Sequence, residues 1–151
     1  LVAHSSEDVG MADPMAMVVA VSAMTALKNM GIPEGLIPLS HAIIYVCEAP
    51  KSNSVVVAMG LAGDDAENVR DDVVPSHLKN SVYADKEDKL KSRAYKYPHD
   101  YGGYVNQQYL PDSLVGKVYY TPKNNGYENK VKEIRAEKQR IKDENEKKGR
   151  N

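Results

Sequence analysis

The chain has 151 residues and a mass of 16.7 kDa, a length that fits one domain burying about two thirds of its unfolded surface. Twenty basic and twenty-one acidic residues give a formal net charge of -1, which excludes a strongly basic nucleic-acid footprint at the level of the whole chain. The single Cys47 excludes an internal disulfide, and no apolar run approaches the roughly 20 residues of a membrane span. We therefore expect a cytoplasmic domain without a membrane partner. Because the chain begins with Leu1, we also expect a piece cut from a longer protein.

The first half of the sequence predicts helices. Ser5 and Asp8 have the spacing of a short capping box that ends near Gly10. Asp13 and Pro14 suit the cap and first position of a helix running to Gly31, the residue type that commonly follows a helix. A second helix is predicted in "LIPLSHAIIYVCEA", where Pro38 lies in the first turn and Pro50 stops the helix.

A third helix is predicted to follow the cap residues Ser52 or Asn53 and to run through "SVVVAMGLAGDDAENV". The β-branched run Val55–Val57 also fits a strand, but the small residues that follow it continue a helical spacing and favour a helix.

The helix of residues 14–30 is apolar over most of its circumference. Met17, Val21, Met24 and Leu27 recur at helical spacing, and Ala and Ser fill much of the remainder. A helix of this composition is typically covered from several sides, which is difficult to achieve within so small a domain. We therefore predict that these four residues form an oligomer interface.

The composition changes after about residue 70. Residues 71–126 are rich in Tyr, Pro and Gly and predict a long ordered loop that straps the helical core of residues 5–70, with a short hairpin near "KVYYTP". Residues 127–151 predict a charged helix and tail with a thin apolar stripe. The expected fold class is all-α: a helical bundle with a Tyr/Pro/Gly-rich loop and a charged C-terminal helix.

The stretch "YKYPHDYGGYVNQQY" at 95–109 admits a catalytic and a structural interpretation. His99 beside Asp100 fits a general base only if a substrate proton lies within hydrogen-bond reach, and neighbours on extended backbone point in opposite directions. The favoured interpretation is that Tyr97, Tyr101, Tyr104 and Tyr109 lay their rings on helix faces. No His or Cys pair has metal-ligand spacing, and we expect no metal.

The sequence contains no phosphate-binding loop. In "APKSN", Lys51 and the caps at a helix N-terminus fit an anion site, but an ordinary helix cap with Lys51 in solvent is favoured. We expect no cofactor on this chain.

The segment "KLKSRAYKY" mixes basic residues with tyrosines, as in proteins that bind single strands by charge and stacking. The alternative function is therefore a DNA-binding module that contacts DNA through this segment. The competing interpretation is a solvated loop whose positive charge is balanced by nearby carboxylates. The candidate DNA contacts are Lys86, Lys89, Lys91, Arg93 and Lys96.

Five motifs in order resemble one family: "SSEDVGMADPMAM", "GIPEGLIPLSHAIIYVCEAPKSNSVVVA", "VPSHLKN", "YKYPHDYGGYVNQQYLPD" and "YYTPKNNGYE". Over about residues 4–128 the chain resembles the C-terminal domain of the replication-associated recombination protein A (RarA, or MgsA) family of AAA+ ATPases. This family is related to Werner helicase interacting protein and, more distantly, to clamp loaders. The matching positions are Glu7, Asp8, Gly10, Pro14, Pro50, Lys51, Ser52, Asn53, Pro75, His77, Leu78, Tyr97, Pro98, His99 and Asp100.

The resemblance implies a helical domain like the clamp-loader C-terminal domain, which assembles the protein into a homotetramer and has no catalytic residue of its own. It implies a parent ATPase that uses ATP and Mg²⁺ in a separate module and acts, nucleoid-associated, with DNA and single-strand-binding protein at stalled forks. The chain departs from the family pattern at 81–94 and lacks a residue before "GGYV", so the loop geometry there is left open.

Overall fold

The structure, a computed structural model, describes residues 1–69, 74–79 and 95–148. For residues 145–148 it describes the backbone alone. Its long helices are α1 (Met15–Met30), α2 (Leu36–Glu48), α3 (Ser54–Asn68) and α4 (Glu128–Lys148). Helical turns span Val2–His4, Ser5–Val9 and Gly10–Ala12, and 3-10 turns span Ser76–Leu78, Pro98–Tyr101 and Asp112–Leu114. No strand occurs in these described ranges. The all-α prediction is confirmed, and the hairpin predicted near "KVYYTP" does not form.

Contacts divide the chain into two compact units. The first unit comprises residues 1–63 and 118–133, and the second comprises residues 64–117 and 134–151. Helices α3 and α4 each begin in the first unit and end in the second.

The N-terminal segment is helical earlier than the capping-box prediction requires. Because the backbone is already helical from Val2, Ser5 lies inside the turn, where its buried hydroxyl donates to the Val2 carbonyl over 2.7 Å. Asp8 accepts instead from the His4 ring over 2.9 Å. The capping box is therefore wrong, whereas Gly10, with a φ of 51°, ends the segment as predicted.

Both ends of α1 follow the predicted pattern. An Asp13 carboxylate oxygen accepts from the Met15 N–H over 3.0 Å, and Pro14 has helical backbone angles ahead of the first turn. At the other end Gly31 adopts a φ of 73° and its N–H donates to the Leu27 carbonyl. These contacts satisfy backbone groups that a helix end otherwise leaves unpaired.

The core of the first unit is built from small side chains. Ala16, Ala20 and Ala23 on α1 are buried, as are Ala42 and Val46 on α2. Alanine faces let two helices approach closely, so the seam between α1 and α2 has little room for larger residues. The large apolar side chains of both helices consequently lie on other faces.

Candidate self-association surface

The predicted interface residues of α1 form an exposed stripe. Met17 is 49% exposed, Val21 36% and Met24 56%, while Leu27 is half-buried beneath Gly35. The first three lie at spacings of four and three residues and therefore share one helix face, which Lys28 continues. The structure thus leaves three of the four predicted residues available for contact, and turns Leu27 towards its own chain. We call Met17, Val21, Met24 and Lys28 the α1 stripe.

Helix α2 carries a second exposed stripe with the same spacing. Ile37 is 75% exposed and Ile44 63%, and the exposed residues His41 and Glu48 complete the face. We call these four residues the α2 stripe. Its C-terminal half borders a cleft of about 420 Å³. Monomeric proteins rarely expose so many large apolar side chains together, and such patches mark interaction sites.

The start of α3 adds more apolar surface. Val57, Met59 and Leu61 are 50%, 68% and 47% exposed. The helix is confirmed over the strand alternative, since Ser54–Asn68 is helical throughout. Val57 and Leu61 are four residues apart and share a face, whereas Met59, two residues from each, lies on another side of the helix.

The family-motif residues Pro50–Asn53 form the junction between α2 and α3. The Lys51 ammonium donates to the carbonyls of Val46 over 2.7 Å, Cys47 over 3.1 Å and Ala49 over 2.5 Å. It therefore caps the C-terminus of α2, where a cation opposes the helix dipole, while Lys51 remains exposed to solvent as predicted.

The N-terminus of α3 is occupied by a carboxylate from the chain itself. Glu128, the first residue of α4, is 0% exposed. One of its oxygens accepts from the hydroxyls of Ser54 over 2.5 Å and Tyr120 over 3.0 Å, and the other accepts from the Lys123 N–H over 3.1 Å. The anion site predicted as an alternative at "APKSN" is thus filled internally. Ser52 caps the helix as predicted, with its Oγ accepting from the Ser54 N–H over 3.3 Å.

The electrostatics of Glu128 follow from these contacts. Burial alone raises the pKa of the carboxyl, because it disfavours the charged form. Hydrogen bonds from Ser54, Ser52, Tyr120 and the Lys123 N–H favour the charged form and together bring the pKa below its ordinary value. Sequence analysis missed this residue, and only its place in "YYTPKNNGYE" pointed towards it.

The tyrosine-rich loop lies in the second unit. Residues Pro98–Tyr101 form a 3-10 turn that ends at Gly102, which has a left-handed φ of 73°. His99 and Asp100 are exposed, and the His99 ring lies 5.0 Å from that of Tyr97, centroid to centroid. Among the described residues, His99 contacts an aromatic ring and has no hydrogen bond to an acid, so the geometry of this part of the chain does not assemble an oriented base.

The loop tyrosines are not deeply buried, and their predicted packing on helix faces stays a prediction. Tyr97, Tyr101 and Tyr109 are exposed, and only Tyr104 is half-buried, with the Lys138 ammonium of α4 6.0 Å from its ring centroid. The loop is held by polar contacts. The Gln107 amide bonds both the N–H and the carbonyl of Lys96, and also donates to the Tyr109 hydroxyl.

Four of the five candidate DNA contacts, Lys86, Lys89, Lys91 and Arg93, lie outside the described residues, and Lys96 is exposed.

In the described ranges, no group of three His, Cys, Asp or Glu side chains has the geometry of a metal site. None of the helices described here is both long and apolar enough to cross a membrane.

Comparison with known proteins decides the family. The family profile described as "MgsA AAA+ ATPase C terminal" matches residues 1–139. The chain belongs to this family. It is similar to Replication-associated recombination protein A of Bacillus subtilis, with 41% identity over 85% of this chain and 31% of the relative. It is also similar to the Escherichia coli K12 protein of that name, with 38% identity over 87% of this chain and 30% of the relative.

The MgsA C-terminal match extends beyond bacteria. ATPase WRNIP1 of Dictyostelium discoideum is 30% identical over 80% of this chain and 14% of its own length. The chain spans about a third or less of the length of these curated relatives, and the family profile that it matches is described as C-terminal. Within the described part of this matched region, α1 and α2 carry the exposed apolar stripes.

Proposed function

We propose that this chain is the homo-oligomerisation domain of a AAA+ ATPase, that it assembles four copies, and that it has no catalytic activity of its own. The observation that carries the proposal is the α1 stripe. Met17, Val21 and Met24 lie together in solvent although they are large and apolar. Fully burying a side chain of this size contributes about 1.5–3 kcal/mol. A second copy offers that burial, since the α1–α2 seam of the same chain is already filled by alanines.

The assignment to a larger ATPase supports an assembly role. In this proposal the longer protein hydrolyses ATP in a separate module, and that module holds ATP and Mg²⁺. The longer protein is proposed to work in the cytoplasm at the nucleoid, on DNA at stalled replication forks and with single-strand-binding protein. The names of the relatives, which refer to replication-associated recombination and to an ATPase, support this context. The proposed likeness to the clamp-loader C-terminal domain rests on the sequence resemblance.

A single substitution tests the assembly role. Met24→Glu places a carboxylate in the middle of the α1 stripe, and burying an unpaired charge on association is costly. We expect the dissociation constant of the assembly to rise at least about 100-fold, which corresponds to about 2.8 kcal/mol. Light scattering coupled to size-exclusion chromatography reports the mass directly. Circular dichroism checks that the helices persist.

Ser22→Glu is the matched control on the same helix. Ser22 is exposed and lies two residues from Met24, on a different face. The control variant should assemble like the original chain. An assembled Met24→Glu variant of unchanged mass would contradict the assignment of the interface to the α1 stripe.

A further inference from the structure

The two stripes of the first unit match each other. The α1 stripe runs Met17, Val21, Met24, Lys28 and the α2 stripe runs Ile37, His41, Ile44, Glu48. Both have spacings of four, three and four residues, so each forms one continuous strip along its helix. Both also end in a charged residue at the C-terminal end, a cation on α1 and an anion on α2.

The charged ends of the stripes have no ion-pair partner in the described part of the chain. Lys28 lies in the last turn of α1 and Glu48 at the end of α2, and both are exposed. Asp13, in contrast, is engaged twice, by the Met15 N–H and by the Tyr45 hydroxyl over 2.9 Å. Of the two carboxylates that line the cleft, Glu48 is therefore the one with no hydrogen-bond or ion-pair partner among the described residues.

The end of the α2 stripe is concave. The cleft of about 420 Å³ is lined by Asp13, His41, Ile44, Tyr45 and Glu48, among others. Two carboxylates and an apolar wall favour a cation on a flexible apolar stem. Asp13 also keeps the Tyr45 hydroxyl protonated: hydrogen bonding to Asp13, together with desolvation and the Asp13 charge, raises the pKa of Tyr45.

The geometry points to a head-to-tail interface in which the α1 stripe of one copy lies parallel on the α2 stripe of the next. Met17 and Met24 then face Ile37 and Ile44, and the Lys28 ammonium enters the cleft beside Glu48. This inference rests on the proposed function and adds the partner face and the symmetry of the contact. If each stripe paired instead with the same stripe of a second copy in antiparallel orientation, Lys28 would lie against Met17 and Glu48 against Ile37. Neither charge would then meet a counter-charge.

A head-to-tail contact uses two different faces of every copy. Each copy places its α1 stripe on one neighbour and receives the α1 stripe of another neighbour on its α2 stripe, so the contacts form a ring where the rotation between neighbours closes and a filament where it does not. Four copies joined by four identical contacts satisfy both stripes of every chain. Rings closed in this way leave no stripe exposed, whereas a dimer made by one such contact leaves two.

Charge reversal tests this pairing. Lys28→Glu and Glu48→Lys each place like charges at every contact, and we expect each variant alone to dissociate at a roughly 10- to 100-fold higher concentration than the original chain. An equimolar mixture of the two variants restores opposite charges at every contact of an alternating ring. The mixture and the double variant Lys28→Glu/Glu48→Lys should both regain the mass of the original chain by light scattering.

Lys130→Glu is a control cation on α4, outside both stripes, and should assemble normally. If the original chain assembles but neither the mixture nor the double variant recovers, or if Glu48→Lys has no effect, the head-to-tail pairing is overturned while the assembly role stands. If the original chain is itself monomeric, the proposed function fails and not merely the pairing.

Discussion

At the residue scale, Glu128 organises the junction on which the first unit depends. Its carboxylate lies where the N-terminus of α3 would attract an external anion. It accepts hydrogen bonds from Ser54 on α3, and from the Tyr120 hydroxyl and the Lys123 N–H in the segment before α4. A helix N-terminus favours negative charge, and a buried carboxylate that accepts several hydrogen bonds stays ionised. One side chain thereby fixes the start of α4 against the start of α3.

Replacing this carboxylate should destabilise the fold. Glu128→Gln keeps the size of the side chain but offers one acceptor oxygen and an amide that faces buried donors. We expect a loss of about 2–4 kcal/mol, since breaking a buried charged network leaves donors unsatisfied. Urea unfolding followed by circular dichroism, at one fixed chain concentration, measures the difference. Glu133→Gln, an exposed position on the same helix, should cost less than about 0.5 kcal/mol.

The same residue predicts a pH dependence. Because the folded chain holds the pKa of Glu128 below its ordinary value of 4.5, the charged form contributes stability that is fully present above that pH. The contribution is lost as the pH falls through the lower pKa of the folded state. The stability difference between the original chain and Glu128→Gln should therefore be constant above about pH 5 and shrink below 4.5. A difference that grows on acidification would contradict this account.

At the element scale, the sequence predicts helices where local signals are strong. Asp13 with Pro14, Gly31, and Pro50 each act on the backbone next to them: α1 begins after Pro14 and ends before Gly31, and α2 ends just before Pro50. The prediction fails at Ser5, because the residues before it are already helical. It does not fix the surroundings of Tyr97 and Tyr109, because side-chain contacts of a long loop depend on partners distant in sequence. Glu128 could not be found for the same reason, as its Ser54 partner is 74 residues away.

The segment leading into α4 gives a second test at this scale. Gly126 has a φ of 50°, and a Cβ there would press on the Ala12 carbonyl and come within 2.8 Å of the Pro50 ring. The Tyr127 N–H donates to the same carbonyl over 2.7 Å, so the segment cannot move away without losing this bond.

We expect Gly126→Ala to cost about 1–3 kcal/mol, through both the positive φ and the clash. Chemical denaturation compares it with Gly60→Ala, where no atom lies within 4 Å of the added Cβ and the residue is inside α3. The control should be neutral or stabilising by up to about 1 kcal/mol. Equal effects at the two positions would show that the segment does not pack tightly against Ala12 and Pro50.

At the scale of the whole molecule, the apolar surface of the first unit is the central feature. Its helices join through alanines and expose methionine, valine and isoleucine on α1 and α2. The sequence indicated this surface through the composition of residues 14–30, but which residues remain outside depends on how α1 meets α2. Leu27 shows the difference, since it shares the spacing of the α1 stripe and yet lies beneath Gly35.

Sedimentation equilibrium of this chain, at concentrations from below one micromolar to high micromolar, shows whether the exposed stripes drive self-association. We expect a reversible assembly whose limiting mass is four times the 16.7 kDa of one chain. A chain that remains strictly monomeric at the highest concentration, with its helices intact, would contradict it.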